Sequence, residues 1–122
     1  MCGFVGFLGG NSTYSPLNGE NLLRKMSNEI FRRGPDDEGY WFNSSQNIGL
    51  GHRRLKVIDL SIAGHQPMQS KSGRYIIAFN GEIYNHTQMR KELISRTSPP
   101  QWRGSSDTET LLEGFERWGI QN

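Results

Sequence analysis

The only cysteine of this 122-residue chain stands at position 2. A lone cysteine near a terminus is usually inert, but this position alters the chemistry. Removal of Met1 would leave Cys2 as the first residue, with a free α-amino group on the same residue as the thiol. The α-amine has a reference pKa of ~8, against ~10.4 for lysine, so about a tenth is neutral at pH 7. A neutral amine can take the thiol proton directly or through a water, and the thiolate is the stronger nucleophile. A threonine activated by its own N-terminal amine follows the same logic.

Three further segments carry polar groups suited to acyl transfer. In Phe79-Asn80-Gly81-Glu82-Ile83-Tyr84-Asn85-His86, the Asn80-Gly81 pair reads either as a tight hairpin turn or as an oxyanion hole. In the second reading the Asn80 side-chain amide and the Gly81 N–H are two neutral donors converging on one developing charge, and Gly81 admits close approach to the backbone. In Gly51-His52-Arg53-Arg54-Leu55-Lys56-Val57-Ile58-Asp59-Leu60, the basic residues read either as the exposed face of a strand or as supplying one arginine fork for a carboxylate. Ser106-Asp107-Thr108-Glu109 reads, on its own, as a helix cap. Other chemistry fails on spacing. His52, His65 and His86 lack metal-ligand spacing and cysteine partners, and hydrogen bonding that supports loops is the alternative use for them. Neither a G-x-S-x-G nor a phosphate-binding G-x-x-x-x-G-K-[ST] motif occurs. Gly49-Leu50-Gly51 is a weak G-x-G with no helix after it.

The elements that must hold these groups are legible in part. Phe4, Val5, Phe7 and Leu8, punctuated by glycines, predict a buried strand behind Cys2. Residues 18–33 read as a helix capped by Asn18, with Leu22, Leu23, Met26 and Ile30 as its apolar stripe and Gly34 as its stop. Residues 38–42 and 48–55 read as strands joined by the polar turn 43–47, and 75–79 as a third strand. A helix is expected after Asn85, with Gln88 completing a capping box and Met89 and Leu93 inward, ending by Ser98 before Pro99 and Pro100. A last helix starts at Ser106 or Asp107, with Leu111, Phe115 and Trp118 as its stripe and Gly119 as its end. This uneven alternation favours α+β or a layered sandwich.

Composition narrows the class. Hydrophobic residues make 34% and charged residues 21% of the chain, and the mean hydropathy is −0.67, polar for a globular domain but outside the disordered range. Fifteen glycines and five prolines exceed the usual share of ~12% and argue for turns over a helical bundle. A net charge of +2 is too small to argue for nucleic acid. No apolar run approaches the ~18 residues that cross a membrane, and the apolar start lacks a basic n-region. One cysteine cannot form an intrachain disulfide. Sequons at Asn11, Asn43 and Asn85 carry no meaning without secretion. The expected location is cytoplasmic, with no membrane and no nucleic acid as partner.

Taken together, the segments resemble the class II, or N-terminal-nucleophile, glutamine amidotransferases. The resemblance rests on Met1-Cys2-Gly3 with Val5-Gly6, Arg33-Gly34-Pro35-Asp36, Gly51-His52-Arg53-Arg54-Leu55 through Asp59-Leu60, Ala63-Gly64-His65-Gln66-Pro67-Met68, Phe79 through His86, and Ser106-Asp107-Thr108-Glu109. The Arg-Leu-x-Val-Ile-Asp-Leu and Gly-His-Gln-Pro segments resemble the glutamine-hydrolysing asparagine synthetase branch. The resemblance implies that Cys2 attacks the glutamine side-chain amide with help from its α-amine. It implies that Asn80 and Gly81 stabilise the oxyanion, that Arg54 binds the glutamine α-carboxylate, and that Glu82 and Asp107 hold its α-ammonium. The backbone around Val57 and Ile58 would line the pocket, and residues 33–36 would shape the loop near Cys2. L-Glutamine would be the substrate, and ammonia would pass to an attached or partner synthetase. The implied fold is an α+β, four-layer αββα sandwich of the N-terminal-nucleophile hydrolase type, incomplete here because the family's glutaminase domain is longer. Residues 1–122 would be its N-terminal part. No cofactor is expected within this segment; ATP and Mg²⁺ would belong to the synthetase domain, absent from these residues. A homodimer is the assembly this reading allows. Competing readings are a non-catalytic glutamine-binding or assembly fragment, an amidotransferase for a sugar or other carboxylate acceptor, and a basic nucleic-acid binder resting only on a pI near 8.9.

Overall fold

In the computed structural model, residues 2–9, 14–56, 60–96 and 98–121 are described, Arg96 by its backbone alone. They form two compact units, residues 2–9, 14–56, 65–67 and 78–80 in the first and 60–64, 68–77, 81–96 and 98–121 in the second. The fold is α+β with antiparallel sheets.

The first unit contains three strands and a helix: β1 (Gly3–Leu8), α1 (Pro16–Glu29), β2 (Asp37–Asn43) and β3 (Ile48–Arg54). The sheet order is β1-β3-β2, antiparallel throughout. The β2–β3 turn is shaped by Asn43, whose Oδ1 accepts from Ser45 Oγ (2.7 Å) and Gln46 N (3.1 Å), and by Asn47 at φ 53°. Side chains alternate across a strand, so the register sorts the sheet into two faces. One face carries Gly3, Val5, Phe7, Gly49, Gly51, Arg53, Glu38, Tyr40 and Phe42, and α1 packs on it through Leu23 and Ser27, both fully buried. The opposite face carries Phe4, Leu50, His52, Arg54, Asp37 and Gly39.

The helix α1 begins earlier and ends sooner than the predicted 18–33. Ser15, not Asn18, is its N-cap: Ser15 Oγ accepts from Asn18 N (3.3 Å), and Pro16 fills the first helical turn, where its missing N–H costs nothing. After Glu29 the chain tightens into the 3₁₀ turn Phe31–Arg33. Gly34 therefore closes that turn instead of the helix, at φ −157°. A Cβ on Gly34 would lie 2.5 Å from Arg53 C and Arg54 N, so a glycine is required where this loop passes over β3.

The second unit holds the short strands β4 (Met68–Gln69) and β5 (Ile76–Ile77) and the helices α2 (His86–Arg96) and α3 (Asp107–Trp118). The predicted strand 75–79 shrinks to two residues. Beyond Ile77, the N–H and C=O of Phe79 are taken by side chains instead of a neighbouring strand. The hairpin reading of Asn80-Gly81 also fails. Among the described residues no strand follows Gly81, and those with positive φ are Asn47, Gly73 and Gly119, so the left-handed pair that a primed turn needs is missing. Helix α3 is capped as expected, Ser106 Oγ accepting from Glu109 N (3.2 Å), and ends at Gly119 (φ 80°). Its buried line differs: Leu112, not Leu111, is in the core, with Thr108 and Thr110, while Leu111, Phe115 and Trp118 are only half-buried. Leu93 of α2 is buried as predicted, and Met89 is half-buried. The Glu109 side chain does not complete a capping box. It bonds Arg103 N (2.7 Å) and Gly104 N (3.0 Å) instead.

Candidate active site

Cys2 sits just before the first pair of the β1–β3 ladder, Gly3 opposite Arg53. Arg54 is the next and last residue of β3. The Cys2 sulfur is fixed by the residue after Arg54: Leu55 N donates to Sγ (3.3 Å), and Sγ lies 3.6 Å from Leu55 O. Residues 33–36 close around the same point. Arg33 Nε donates to Cys2 O (3.0 Å), Asp36 N to Arg54 O (3.1 Å), and Lys56 N to Asp36 Oδ2 (2.9 Å).

The two arginines of the basic segment are separated by strand alternation. Arg53 faces α1 and is consumed there. Its Nε donates to Ser27 Oγ (3.0 Å) and Ser27 O (3.3 Å), Nη2 to Asn28 Oδ1 (2.6 Å), and Nη1 pairs with Glu38 (2.6 Å). Arg54 lies on the other face, opposite Asp37 of β2, and is largely buried. The exposed-basic-strand reading thus fails for both residues. The fork chosen from the sequence is the one that does not tie the helix to the sheet.

His52 shares that second face. Its Nε2 is 3.0 Å from Phe79 O, so the ring donates there, and its Nδ1 finds no hydrogen-bond partner among the described residues. Burial, first of all, pushes His52 below the ordinary histidine value, and neighbouring Arg54 and His65 act the same way. The Phe79 carbonyl and Asp37 oppose this. Gln66 takes the other side of Phe79, its Oε1 accepting from Phe79 N (2.6 Å). Its neighbour His65 Nδ1 is 2.8 Å from Asp37 Oδ2. This crossing of β2 needs Gly39, since a Cβ there would lie 2.1 Å from Gln66 O. Asn80, next in the chain after Phe79, ends the first unit.

The remaining candidates fall in the second unit. Asp107 Oδ2 accepts from Ile83 N (2.8 Å), bringing Asp107 against the segment that carries Gly81 and Glu82. Behind Asp107, Arg90 braces the incoming loop. It donates to Gly104 O (3.0 Å), Ser106 O (3.0 Å) and Thr110 Oγ1 (2.8 Å), with its guanidinium 4.0 Å from the Trp102 ring centre. Val57 and Ile58 lie outside the described residues.

The loop-supporting use of histidine expected from the sequence is the one His52 has, through Phe79 O. Gln66 and Arg90 escaped the sequence reading, because each acts through side-chain bonds to distant backbone. An open cleft of about 390 Å³, lined by Arg24, Glu38, Tyr40 and His65 among others, contains none of the sequence candidates. Its charges are already matched, Arg24 to Glu20 and Glu38, Glu38 to Arg53. Among the described residues, no group of three or more His, Cys, Asp or Glu could hold a metal ion, and no helix is long and apolar enough to cross a membrane.

Comparison with known proteins identifies the family. Residues 1–122 match the family model described as a glutamine amidotransferase domain. The chain is 37% identical over 118 residues to asparagine synthetase [glutamine-hydrolyzing] 1 of Bacillus subtilis, covering 97% of this chain and 18% of that protein. It is 33% identical over 127 residues to amidase chry2 of Gibberella zeae, covering 98% and 18%. It is 35% identical over 114 residues to a putative asparagine synthetase [glutamine-hydrolyzing] 2 of Methanocaldococcus jannaschii, covering 80% and 21%. The chain thus spans about a fifth of the length of these relatives. Matched along its whole length, the chain belongs to the glutamine amidotransferase domain family.

Proposed function

We propose that the chain is a glutaminase of the N-terminal-nucleophile class, with Cys2 as nucleophile, and that its ammonia serves an ATP-dependent synthetase. The observation that carries this reading is the placement of Cys2 at the end of the β1–β3 ladder, its sulfur oriented by the N–H of Leu55, the residue after Arg54. After loss of Met1, the thiol proton passes to the Cys2 α-amine as sulfur bonds to the amide carbon. The carbonyl oxygen takes the negative charge and receives hydrogen bonds from Asn80 Nδ2 and Gly81 N. Collapse breaks the C–N bond, and the α-ammonium returns its proton to the leaving nitrogen, giving ammonia and a γ-glutamyl thioester. Water, deprotonated by the same amine, then cleaves the thioester to glutamate and restores the thiol. Arg54 binds the α-carboxylate, and Glu82 and Asp107 hold the α-ammonium.

The names of the relatives support asparagine synthesis as the destination of the ammonia, with ATP and Mg²⁺ acting in the synthetase portion. The proposed architecture is the αββα sandwich, to which α1 and its sheet contribute one helix layer and one sheet layer. The proposed compartment is the cytoplasm. The test is glutamate release from glutamine together with intact mass. Active protein should lack Met1. Cys2→Ala should abolish release, and Asn80→Ala should lower the rate by ~10²–10³. Normal turnover by Cys2→Ala, or by protein that retains Met1, would sink the mechanism. Glutamine binding without glutamate release would favour a binding module.

A further inference from the structure

The residue before Asn80 is gripped from both sides by side chains. Phe79 N–H donates to Gln66 Oε1 (2.6 Å), and Phe79 C=O accepts from His52 Nε2 (3.0 Å). These atoms belong to successive peptide planes, 78–79 and 79–80. Fixing both planes fixes the two backbone dihedrals of Phe79, and the second plane contains Asn80 N. The placement of Asn80 N and Cα is therefore set by two buried side chains: His52 is 1% exposed and Gln66 7%. Both are seated by Gly39, which pairs with His52 in the β2–β3 ladder and whose missing Cβ makes room for Gln66.

We propose that His52 and Gln66 are positioning residues that hold the Asn80 amide at the developing oxyanion by clamping the Phe79 peptide planes. The proposal rests on the reading of Asn80 as an oxyanion donor. An ordinary strand would satisfy Phe79 through a ladder partner, but β5 ends at Ile77. The clamp thus replaces a ladder where the chain must turn Asn80 out of the sheet. The protonation state suits the task. A neutral ring carrying its proton on Nε2 donates to Phe79 O and leaves Nδ1 as a bare lone pair, which is cheaper to bury than a second N–H. Burial holds the ring neutral.

The test is a double-mutant cycle on glutamine hydrolysis by the whole chain, with kcat and KM measured separately. His52→Ala should lower kcat roughly tenfold to a hundredfold, the scale expected when a catalytic group moves by about 1 Å. KM should change less than about threefold, because the oxyanion forms only in the transition state. His52→Gln, whose amide N–H reaches nearly as far as Nε2–H, should recover most of the loss. In an Asn80→Ala background, His52→Ala should produce no further fall in kcat, since the group it positions is gone. Gln66→Met should behave like His52→Ala and keeps the test open should His52→Ala fail to fold. Equal losses in both backgrounds, or a loss confined to KM, would overturn the clamp. Absence of glutamate release from the unmutated chain would overturn the glutaminase reading, and the clamp with it, whereas additive losses in an active enzyme would remove the clamp alone.

Discussion

Arg53 and Arg54 are adjacent and chemically identical, yet the sheet gives them separate work, and Arg53→Met measures the structural half. Arg53 makes three hydrogen bonds to α1 and one ion pair with Glu38. Charge-assisted hydrogen bonds are worth about 1.5–3 kcal/mol each, but most of these partners recover something. Ser27 O still accepts from Ile30 N (3.2 Å). Asn28 is exposed and can turn to water. Glu38 is 41% exposed on its side chain, so its pair with Arg53 is discounted for screening. The unavoidable loss is the fully buried Ser27 Oγ, left without its donor at a cost of about 1–3 kcal/mol. Adding about 1 kcal/mol for the remaining contacts gives a loss near 3 kcal/mol. With a urea m-value of about 2 kcal/mol/M, the unfolding midpoint should fall by about 1.5 M. A cycle with Ser27→Ala should show at least about 1 kcal/mol of coupling. Coupling below about 0.3 kcal/mol would mean that Arg53 does not tie α1 to the sheet through Ser27.

Two further outcomes follow from the buried polar groups. Glu109→Ala removes the acceptor for Arg103 N and Gly104 N and the partner of Arg103, with both backbone donors left behind. It should destabilise by about 2–3 kcal/mol in denaturant unfolding, because the part-buried donors and the 44% exposed Arg103 regain some water, and a loss under about 1 kcal/mol would refute the bracing of the 102–106 loop. Because the folded pKa of His52 is depressed by burial, the unfolded chain binds more protons below its ordinary value of 6.5. Stability should be insensitive to this group above about pH 6.5 and fall as the pH drops from there toward the lower folded value. The charges facing His52 are Arg54, Asp37 and His65. His52→Gln should remove this acid-side slope in thermal melts between pH 7.5 and 5, and an unchanged slope would assign it to other groups.

Local chemistry made some of the fold readable. Ser106 with Glu109 three residues on marks a helix start, and it caps α3. The apolar run beside Cys2 and the polar turn 43–47 gave β1, β2 and β3 to within a residue or two. The Ser15-Pro16 start of α1 carried its own signal, a capping hydroxyl before a first-turn proline, which Asn18 masked. Two readings failed for a non-local reason. The strand at 75–79 stops early because Gln66 and His52 satisfy Phe79, and no window around Phe79 contains those residues. The same bonds remove the hairpin that Asn80-Gly81 would otherwise favour. Strand alternation could have separated Arg53 from Arg54, but which face receives α1 depends on packing that no single strand encodes.

The pairing of β1 with β3 also orders events during synthesis. Gly3 waits for Arg53, and the sulfur of Cys2 for Leu55. At ~5–20 residues per second, Gly3 emerges several seconds before the strand that will hold it. Loss of Met1, which the proposed mechanism requires, would fall in an interval when Cys2 has no ladder beside it. The 53-residue separation of Cys2 and Leu55 thus sets a delay between the synthesis of the thiol and its fixation by the backbone.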